Sequence, residues 1–577
     1  MRKTSSWLAF FTVFLFVFLI GGRGLGYRTL WQDEVETAER AKSVAAVGVP
    51  RTIDPQGQWS VNTGGKEIEE GDLHRYTPWG QFYVGAAGIK LGELVGLDRD
   101  TAIRIPFFFL HAAASGMIAV SLPAVIAVSS VEAMGVAALY GFNSVRILHA
   151  RTARYHAVTD FFFLWAWIFY GWFRRSARDR SKLRKNGLLL ASLSVCIGIL
   201  LFTHTLFGML AFGLFSGLVF IEFPRLKRTY FFLLLNIALL GALSLLVRPW
   251  LQTAIWGELS FQLPFRSLRS WFHVSFSLFF FLATFPYFLG RRSEPRANDP
   301  TWKREVFLGA VYFLLILIGV RILDFQPFSQ PRYYLPLIGA CLFWPLAFGQ
   351  SHWWKTREAG RAFLCSVCVM LVVVEFTGDP RPYQGVRLAL WDAWMNHFEG
   401  AERKEQPMRE AFALLKATAK PGDAVLMEYV PQLVNWYAPE FKPALVPDAA
   451  TLSTLGRLNP RVASMPITAP DYHLYYSAGG FNAFWICVGY CDMSIRPDAT
   501  DPNAYFVHSK ALDRDFRFCM MKSWRTHLWN NAPYTNYGSE ALTPEGRYAS
   551  VLSLAKRCDL SKVNETVSQP TKIVPAN

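Results

Sequence analysis

The stretch Trp79-Gly80-Gln81-Phe82-Tyr83-Val84-Gly85-Ala86-Ala87-Gly88-Ile89-Lys90-Leu91-Gly92-Glu93-Leu94-Val95-Gly96-Leu97 decides how the rest of the chain is read. Its length and apolar content allow a membrane span. Gln81, Lys90 and Glu93 give it a polar side, so it is read as an amphipathic helix lying flat at a membrane interface. Everything after it changes sides with that choice.

The surrounding composition makes the choice matter. Of 577 residues, 52% are hydrophobic, 16% aromatic and only 18% charged, against about 25% charged in ordinary globular proteins. This excludes a disordered chain, a fibrous protein and a water-soluble enzyme. The net charge is +16. The basic residues sit in short runs between apolar stretches, as the positive-inside rule produces, so nucleic acid is not the expected partner.

About eleven spans of membrane-crossing length are expected, at 7–23, 103–121, 124–148, 157–173, 187–203, 206–223, 230–247, 272–290, 306–322, 333–350 and 361–376. Arg2 and Lys3 place the N-terminus on the cytoplasmic side. A signal peptide is the rival for the first segment, but no small-residue cleavage site follows Leu19-Ile20-Gly21-Gly22-Arg23. With 79–97 flat, the runs Arg174–Lys185, Arg225–Arg228, Arg291–Arg304 and Lys355–Arg361, holding 18 Lys and Arg, all fall on the cytoplasmic side. Were it to span, all four would switch.

The expected fold is therefore a polytopic α-helical membrane domain over 1–376, with an external loop at 24–102, and an extracytoplasmic C-terminal domain over 377–577. The tail is long enough to bury its own core. A helix-like Pro407–Ala419, then Pro-Gly-Asp, then a strand-like Ala424–Tyr429 suggest a mixed α/β fold there. Cys196, Cys341, Cys365 and Cys368 fall in spans and read as small buried hydrophobes. Cys487, Cys491, Cys519 and Cys558 fall in the tail and suggest two disulfides of open pairing; zinc is the rival, without a paired CxxC spacing behind it.

Several residues carry chemistry. The external loop opens Leu30-Trp31-Gln32-Asp33-Glu34, with two carboxylates close to the membrane surface. A carboxylate there suits a general base acting on a hydroxyl, and an adjacent pair suits a divalent cation; a solvated acidic patch is the plainer alternative. His149-Ala150-Arg151-Thr152-Ala153-Arg154-Tyr155-His156 and the loop leading to Arg332 place arginines in short outer loops, against the usual bias. A phosphate is a natural partner, since guanidinium binds it through bidentate hydrogen bonds. Snorkelling to headgroups, or pairing with Asp160 or Asp324, is the alternative. Asp160 and His204 add ionisable groups at span ends. No Gly-rich phosphate loop and no GxGxxG are present, so an activated donor would be lipid-linked rather than a nucleotide.

The order of these motifs resembles the GT-C glycosyltransferases that use polyprenyl-phosphate sugars, among them protein O-mannosyltransferases and lipid A aminoarabinose transferases. The resemblance covers roughly residues 1–350. It rests on Asp33-Glu34; on Thr77-Pro78-Trp79-Gly80-Gln81-Phe82-Tyr83 followed by Gly96-Leu97 and Arg104-Ile105-Pro106; on the stretch from Arg151 to Asp160; and on Arg332-Tyr333-Tyr334-Leu335-Pro336. Thr203-His204-Thr205 stands where many bacterial relatives have Lys-Gly, and Tyr76-Thr77-Pro78 stands where lipid A enzymes have Glu-Lys-Pro.

The resemblance implies a GT-C-like helical domain in a bacterial inner membrane. It implies one-step, inverting transfer from a polyprenyl-phosphate-linked sugar to a hydroxyl of a glycan, lipid or protein acceptor on the outer face. Asp33 would be the base, and Glu34 would orient the hydroxyl or hold a metal. Arg151, Arg154 and Arg332 would bind the donor phosphate. His74, Arg75, Trp79, Tyr83, Asp160 and His204 are weaker candidates for acceptor or sugar contacts. A divalent metal on Asp33, Glu34 and His204 stays open. A transporter or flippase of lipid-linked intermediates is an alternative; it would favour broken helices and inverted repeats, neither of which the sequence displays. A non-catalytic assembly subunit is the other.

Overall fold

The computed structural model describes residues 2–27, 29–52, 73–74, 77–125, 128–177, 183–223, 227–246, 364, 368, 407–427, 431–444, 469–478, 493–501, 503–509, 514–526 and 550–558. The expected spans 272–290, 306–322 and 333–350, and all of 361–376 but Leu364 and Cys368, lie outside them. So do the 376/377 boundary, Arg75, Arg332, Cys341, Cys365, Cys487 and Cys491.

In chain order the helices are α1 (Arg2–Phe16, continued by a π-helical turn Val17–Gly21), α2 (Gln32–Val47), α3 (Gly80–Val95), α4 (Arg99–Ser121), α5 (Ser130–Phe142), α6 (Ser144–Ala150), α7 (Tyr155–Ser176), α8 (Leu183–Thr203), α9 (Thr205–Glu222), α10 (Lys227–Leu246), α11 (Pro407–Thr418) and α12 (Gln432–Tyr437). The strands are β1 (Ala424–Met427), β2 (Lys442–Ala444), β3 (Tyr472–Ala478), β4 (Met493–Pro497), β5 (Ala504–Ser509), β6 (Arg514–Thr526) and β7 (Ser550–Arg557). The chain forms two compact units. The helical unit takes Met1–Tyr27 and Arg75–Lys404, and the sheet unit takes Arg28–His74 and Glu405–Asn577.

In the helical unit, α7 packs chiefly on α8, and α4 packs on α1, α3, α5 and α7. Arg99–Ser121 and Arg184–Thr203 are long and apolar enough to cross a membrane. Large apolar side chains face outward along the helices, among them Leu8, Leu19, Leu188, Phe231 and Leu245. Water does not tolerate such a surface, whereas lipid does. These features fit a membrane protein.

Local chemistry sets the helix ends. The Asp98 side chain accepts from Thr101 N–H at 2.9 Å and starts α4. A Ser129/Glu132 capping box starts α5. The expected continuous span 124–148 is instead broken at Asn143. Asn143 leaves the helical conformation (φ −56°, ψ 126°), and its side chain accepts from Arg146 N–H, starting a new helix, α6. An Asn N-cap inside an apolar run has ended one helix and begun another.

The amphipathic stretch forms α3. Gly85, Gly88 and Gly92 make a narrow buried edge. A Cβ at Gly88 would collide with the Ala102 carbonyl oxygen and Pro106, one at Gly92 with Ala102, and one at Gly80 with Thr203. Thus α3 bridges the last turn of α8 and the first two turns of α4. Lys90 and Glu93 pair at 3.2 Å on its exposed side, while Gln81 is buried.

The sheet unit holds a seven-stranded sheet, among the described residues, in the order β2-β1-β3-β7-β6-β5-β4. The pairs β1–β2 and β1–β3 are parallel and the others antiparallel. Leu426, Tyr475, Tyr505, Phe516 and Phe518 form its core. The expected 407–419 helix is α11. Its buried row Met408, Ala411, Phe412 and Leu415 follows helical spacing and packs on β6 and β7. Cys519 and Cys558 form a disulfide.

Two outcomes follow. Gly88→Ala should lower the melting temperature of the purified chain, corresponding to about 1–3 kcal/mol of overpacking. Gly135→Ala, whose new Cβ meets nothing within 4 Å, should be neutral or stabilising by up to about 1 kcal/mol; equal effects at both positions would contradict the close α3–α4 approach.

Asp498, in the β4–β5 connection, accepts from the Thr500 hydroxyl (2.6 Å), Thr500 N–H (2.9 Å) and Arg517 Nε (2.7 Å). The Thr500 bonds, and then the guanidinium, hold its carboxyl down at about 2. The folded state therefore gains stability from the ionised carboxyl above the ordinary carboxylate range, and loses it as pH falls through about 2. The protection factors of the β5 and β6 amides, relative to the unfolded chain at the same pH, should fall between pH about 4 and about 2. Asp498→Asn should flatten that dependence, and an unchanged slope would contradict the assignment.

Candidate active site

In the sheet unit, the acidic pair opens α2. Glu34 is 1% exposed, and its Oε2 accepts from Trp31 N–H at 3.3 Å, so it closes the helix start on itself. Asp33 is half-buried, and its carbonyl oxygen accepts from the Thr37 hydroxyl at 3.0 Å. The two neighbours therefore differ in employment: one carboxylate caps the helix, and the other stands at partial exposure in the same turn. Further along α2, Glu36 and Glu39 are buried, and Arg40 is fully buried.

His74 is also fully buried. Its Nδ1 accepts from Arg40 Nε at 3.1 Å, its backbone N–H donates to Pro50 O at 3.0 Å, and Arg40 also donates to Arg51 O at 3.0 Å. His74 thus clasps the loop through Arg40 and Pro50.

In the helical unit, one end gathers most of the other candidates. His149 and His156 lie ring to ring at 4.7 Å, Tyr155 lies 4.2 Å from His156 and 4.1 Å from His204, and His204 lies 4.6 Å from Phe207. The Arg154 guanidinium lies over the Tyr155 ring at 5.6 Å, a cation–π distance. Trp79 and Tyr83 reach the same end through Phe202, at 6.4 and 5.8 Å. Tyr83 is exposed there, whereas Trp79 is buried.

The other arginines at this end serve structure. Arg151 donates to the carbonyls of Gly21, Arg23 (2.9 Å) and Gly24 (3.1 Å), and Arg104 donates to Leu25 O at 2.8 Å. Together they hold the segment leaving α1. Arg151, the sequence candidate for a donor phosphate, makes these contacts to backbone oxygens.

Asp160 is likewise engaged inside the helix layer. Arg146 pairs with its Oδ2, the Tyr140 hydroxyl donates to the same oxygen at 3.0 Å, and the guanidinium stacks 3.9 Å from the Tyr140 ring. His111 extends the network, with Nε2 2.9 Å from Gly141 O. At the opposite end of the bundle, Glu222 accepts from Arg174 Nε (2.7 Å) and the Tyr170 hydroxyl (2.7 Å).

Among the described residues, no group of three or more His, Cys, Asp or Glu is arranged to hold a metal. The carboxylate of Glu34 is turned to its own helix start.

His149, His156 and Tyr155 were not singled out from sequence. Their signal was present, since the two histidines bracket the Arg151–Arg154 stretch. Arg146 and Tyr140 gave no such signal.

No family profile matches the chain, and no curated protein matches it. Among solved structures the chain is similar to ArnT from Cupriavidus metallidurans in the apo state, at 14% identity and TM-score 0.47, covering 86% of this chain and 96% of that one. It is similar to the same protein bound to undecaprenyl phosphate, at 14% identity and TM-score 0.41, covering 85% and 96%. It is also similar to the archaeal oligosaccharyltransferase AglB from Archaeoglobus fulgidus, in complex with an inhibitory peptide and a dolichol-phosphate, at 9% identity and TM-score 0.40, covering 81% and 69%.

The buried Arg146–Asp160 pair gives a direct expectation. Arg146→Met leaves a carboxylate unpaired among helices and should cost about 3–5 kcal/mol. Arg146→Met with Asp160→Leu should recover much of that loss in the melting temperature. A double variant no more stable than the single one would contradict the pairing.

Proposed function

We propose that the chain is an integral-membrane, inverting glycosyltransferase that moves a sugar from a polyprenyl-phosphate donor to an acceptor hydroxyl on the extracytoplasmic face. The supporting observation is the gathering of Arg154, His149, His156, His204 and Tyr155 at one end of the helical unit. A polyprenyl phosphate is an anion on a long apolar tail. It calls for a cation and hydrogen-bond donors at one end of a hydrocarbon-facing surface. Undecaprenyl phosphate and dolichol-phosphate are also what two of the solved structures named above contain.

In the reaction, the acceptor oxygen attacks the anomeric carbon from the face opposite the phosphate. The bond from that carbon to the phosphate oxygen breaks, and the phosphate leaves with the electron pair. Asp33, the more accessible acid of its pair, takes the acceptor proton. Arg154 and Arg332 balance the charge growing on the leaving phosphate, where fixed donors act most strongly. Arg151 supports the site by holding the α1 exit. Tyr83, exposed on α3, offers a ring face to a sugar.

A transporter of lipid-linked intermediates is the second reading, favoured by the helix break at Asn143. That break serves another purpose as well, since it starts the helix that carries Arg146 to Asp160.

Mass spectrometry of glycans and glycolipids from cells with and without the protein should reveal one sugar modification that depends on it. Asp33→Asn, expressed at the normal level, should reduce that product by about 10²–10⁴-fold. Arg332→Ala should weaken binding of undecaprenyl phosphate by about 10- to 100-fold. A full product level with Asp33→Asn would remove Asp33 as the base, and a product independent of the protein would remove the transferase.

A further inference from the structure

We propose that α12, through Tyr437, is the positioning element for Asp33, so that the C-terminal sheet serves the reaction by fixing the start of the acidic helix. This rests on the proposed role of Asp33 and adds a function for the tail.

The link is a single hydrogen bond across 407 residues of chain. Leu30 N–H donates to the Tyr437 hydroxyl at 2.6 Å. Leu30 is fully buried, three residues before Asp33 and one before the residue that caps α2. A backbone N–H buried at that place needs a partner, and the hydroxyl supplies it.

The rest of α2 is seated in the same body. Val35 and Ala38 are fully buried, and α2 packs against α12, whose Gln432, Leu433 and Val434 are fully buried as well. The Tyr437 ring lies 5.4 Å from Phe412, in the buried row of α11 that rests on β6 and β7. A continuous line of packed side chains therefore runs from the sheet to Leu30. Two bonds then fix the first turn of α2: the Tyr437 hydroxyl on Leu30 N–H and the Glu34 carboxylate on Trp31 N–H. Asp33 lies between these anchors in sequence and is the acid that neither bond uses.

A base displaced by a fraction of an ångström loses much of its effect while ligand binding elsewhere persists. Tyr437 is thus a positioning residue, and its hydroxyl matters separately from its ring. Tyr437→Phe keeps the ring on Phe412 and removes the hydroxyl.

The test uses the full chain. Cells complemented with Tyr437→Phe should contain about 10- to 100-fold less of the protein-dependent product. The purified variant should bind undecaprenyl phosphate with an affinity within about twofold of the parent, while its melting temperature falls by no more than the loss of one buried hydrogen bond, about 1–3 kcal/mol, and the Leu30 amide exchanges faster. A mainly structural role would shift the melting temperature and binding together, and that result overturns the proposal. A normal product level also overturns it. If Tyr437→Phe is normal while Asp33→Asn is inactive, only the positioning role falls. If Asp33→Asn is itself active, the proposed reaction falls first.

Discussion

A guanidinium placed among apolar helices has to be matched by acceptors, and the polar architecture of the helical unit follows from that demand. Arg146 is matched by Asp160 and the Tyr140 ring, Arg174 by Glu222, Arg104 by a carbonyl of the α1 exit, and Arg151 by three more. Each match joins segments distant in sequence. The Arg146 match exists because Asn143 breaks an apolar run and starts α6. The Arg154 guanidinium lies over the Tyr155 ring, at the end where α3 bridges α8 and α4. That surrounding suits an anionic headgroup.

The sheet unit answers a different problem. A loop carrying several buried carboxylates cannot hold its shape against water unless its polar groups are satisfied internally. Glu34 turns to Trp31 N–H, Arg40 to His74 and to Arg51 O, and Leu30 N–H to Tyr437. The outcome is a helix with a defined first turn, in which one carboxylate is structural and its neighbour stays partly accessible. The same unit builds a mixed sheet whose core is aromatic and whose β6–β7 end carries a disulfide.

Much of this was legible from residue pattern where the pattern is local. The apolar run 157–173 appears within α7, 187–203 within α8, and the Met408-Ala411-Phe412-Leu415 spacing within α11. Hydropathy and helical period report such features directly. The break at Asn143 was hidden because its neighbours are apolar, although Asn143-Ser144 is itself a helix-start signal. The acidic pair was visible, but the division of labour within it was not, since adjacent carboxylates look alike until one finds a backbone N–H. The link from Tyr437 to Leu30 left no trace at all: one hydroxyl meeting one amide across the length of the chain has no pattern to display. The carbonyl contacts of Arg151 were hidden for a related reason, because carbonyls at a helix exit accept from a guanidinium as a phosphate does, and the residue type alone does not tell them apart.

The most direct test of the account is a density map of the protein with undecaprenyl phosphate bound in a lipid disc. The phosphate is expected within hydrogen-bond distance of the Arg154 guanidinium, at the end that carries His149, His156 and His204, with the prenyl chain along the apolar helix surface. A phosphate seated instead at the opposite end, near Arg174, Arg175 and Arg228, would contradict it.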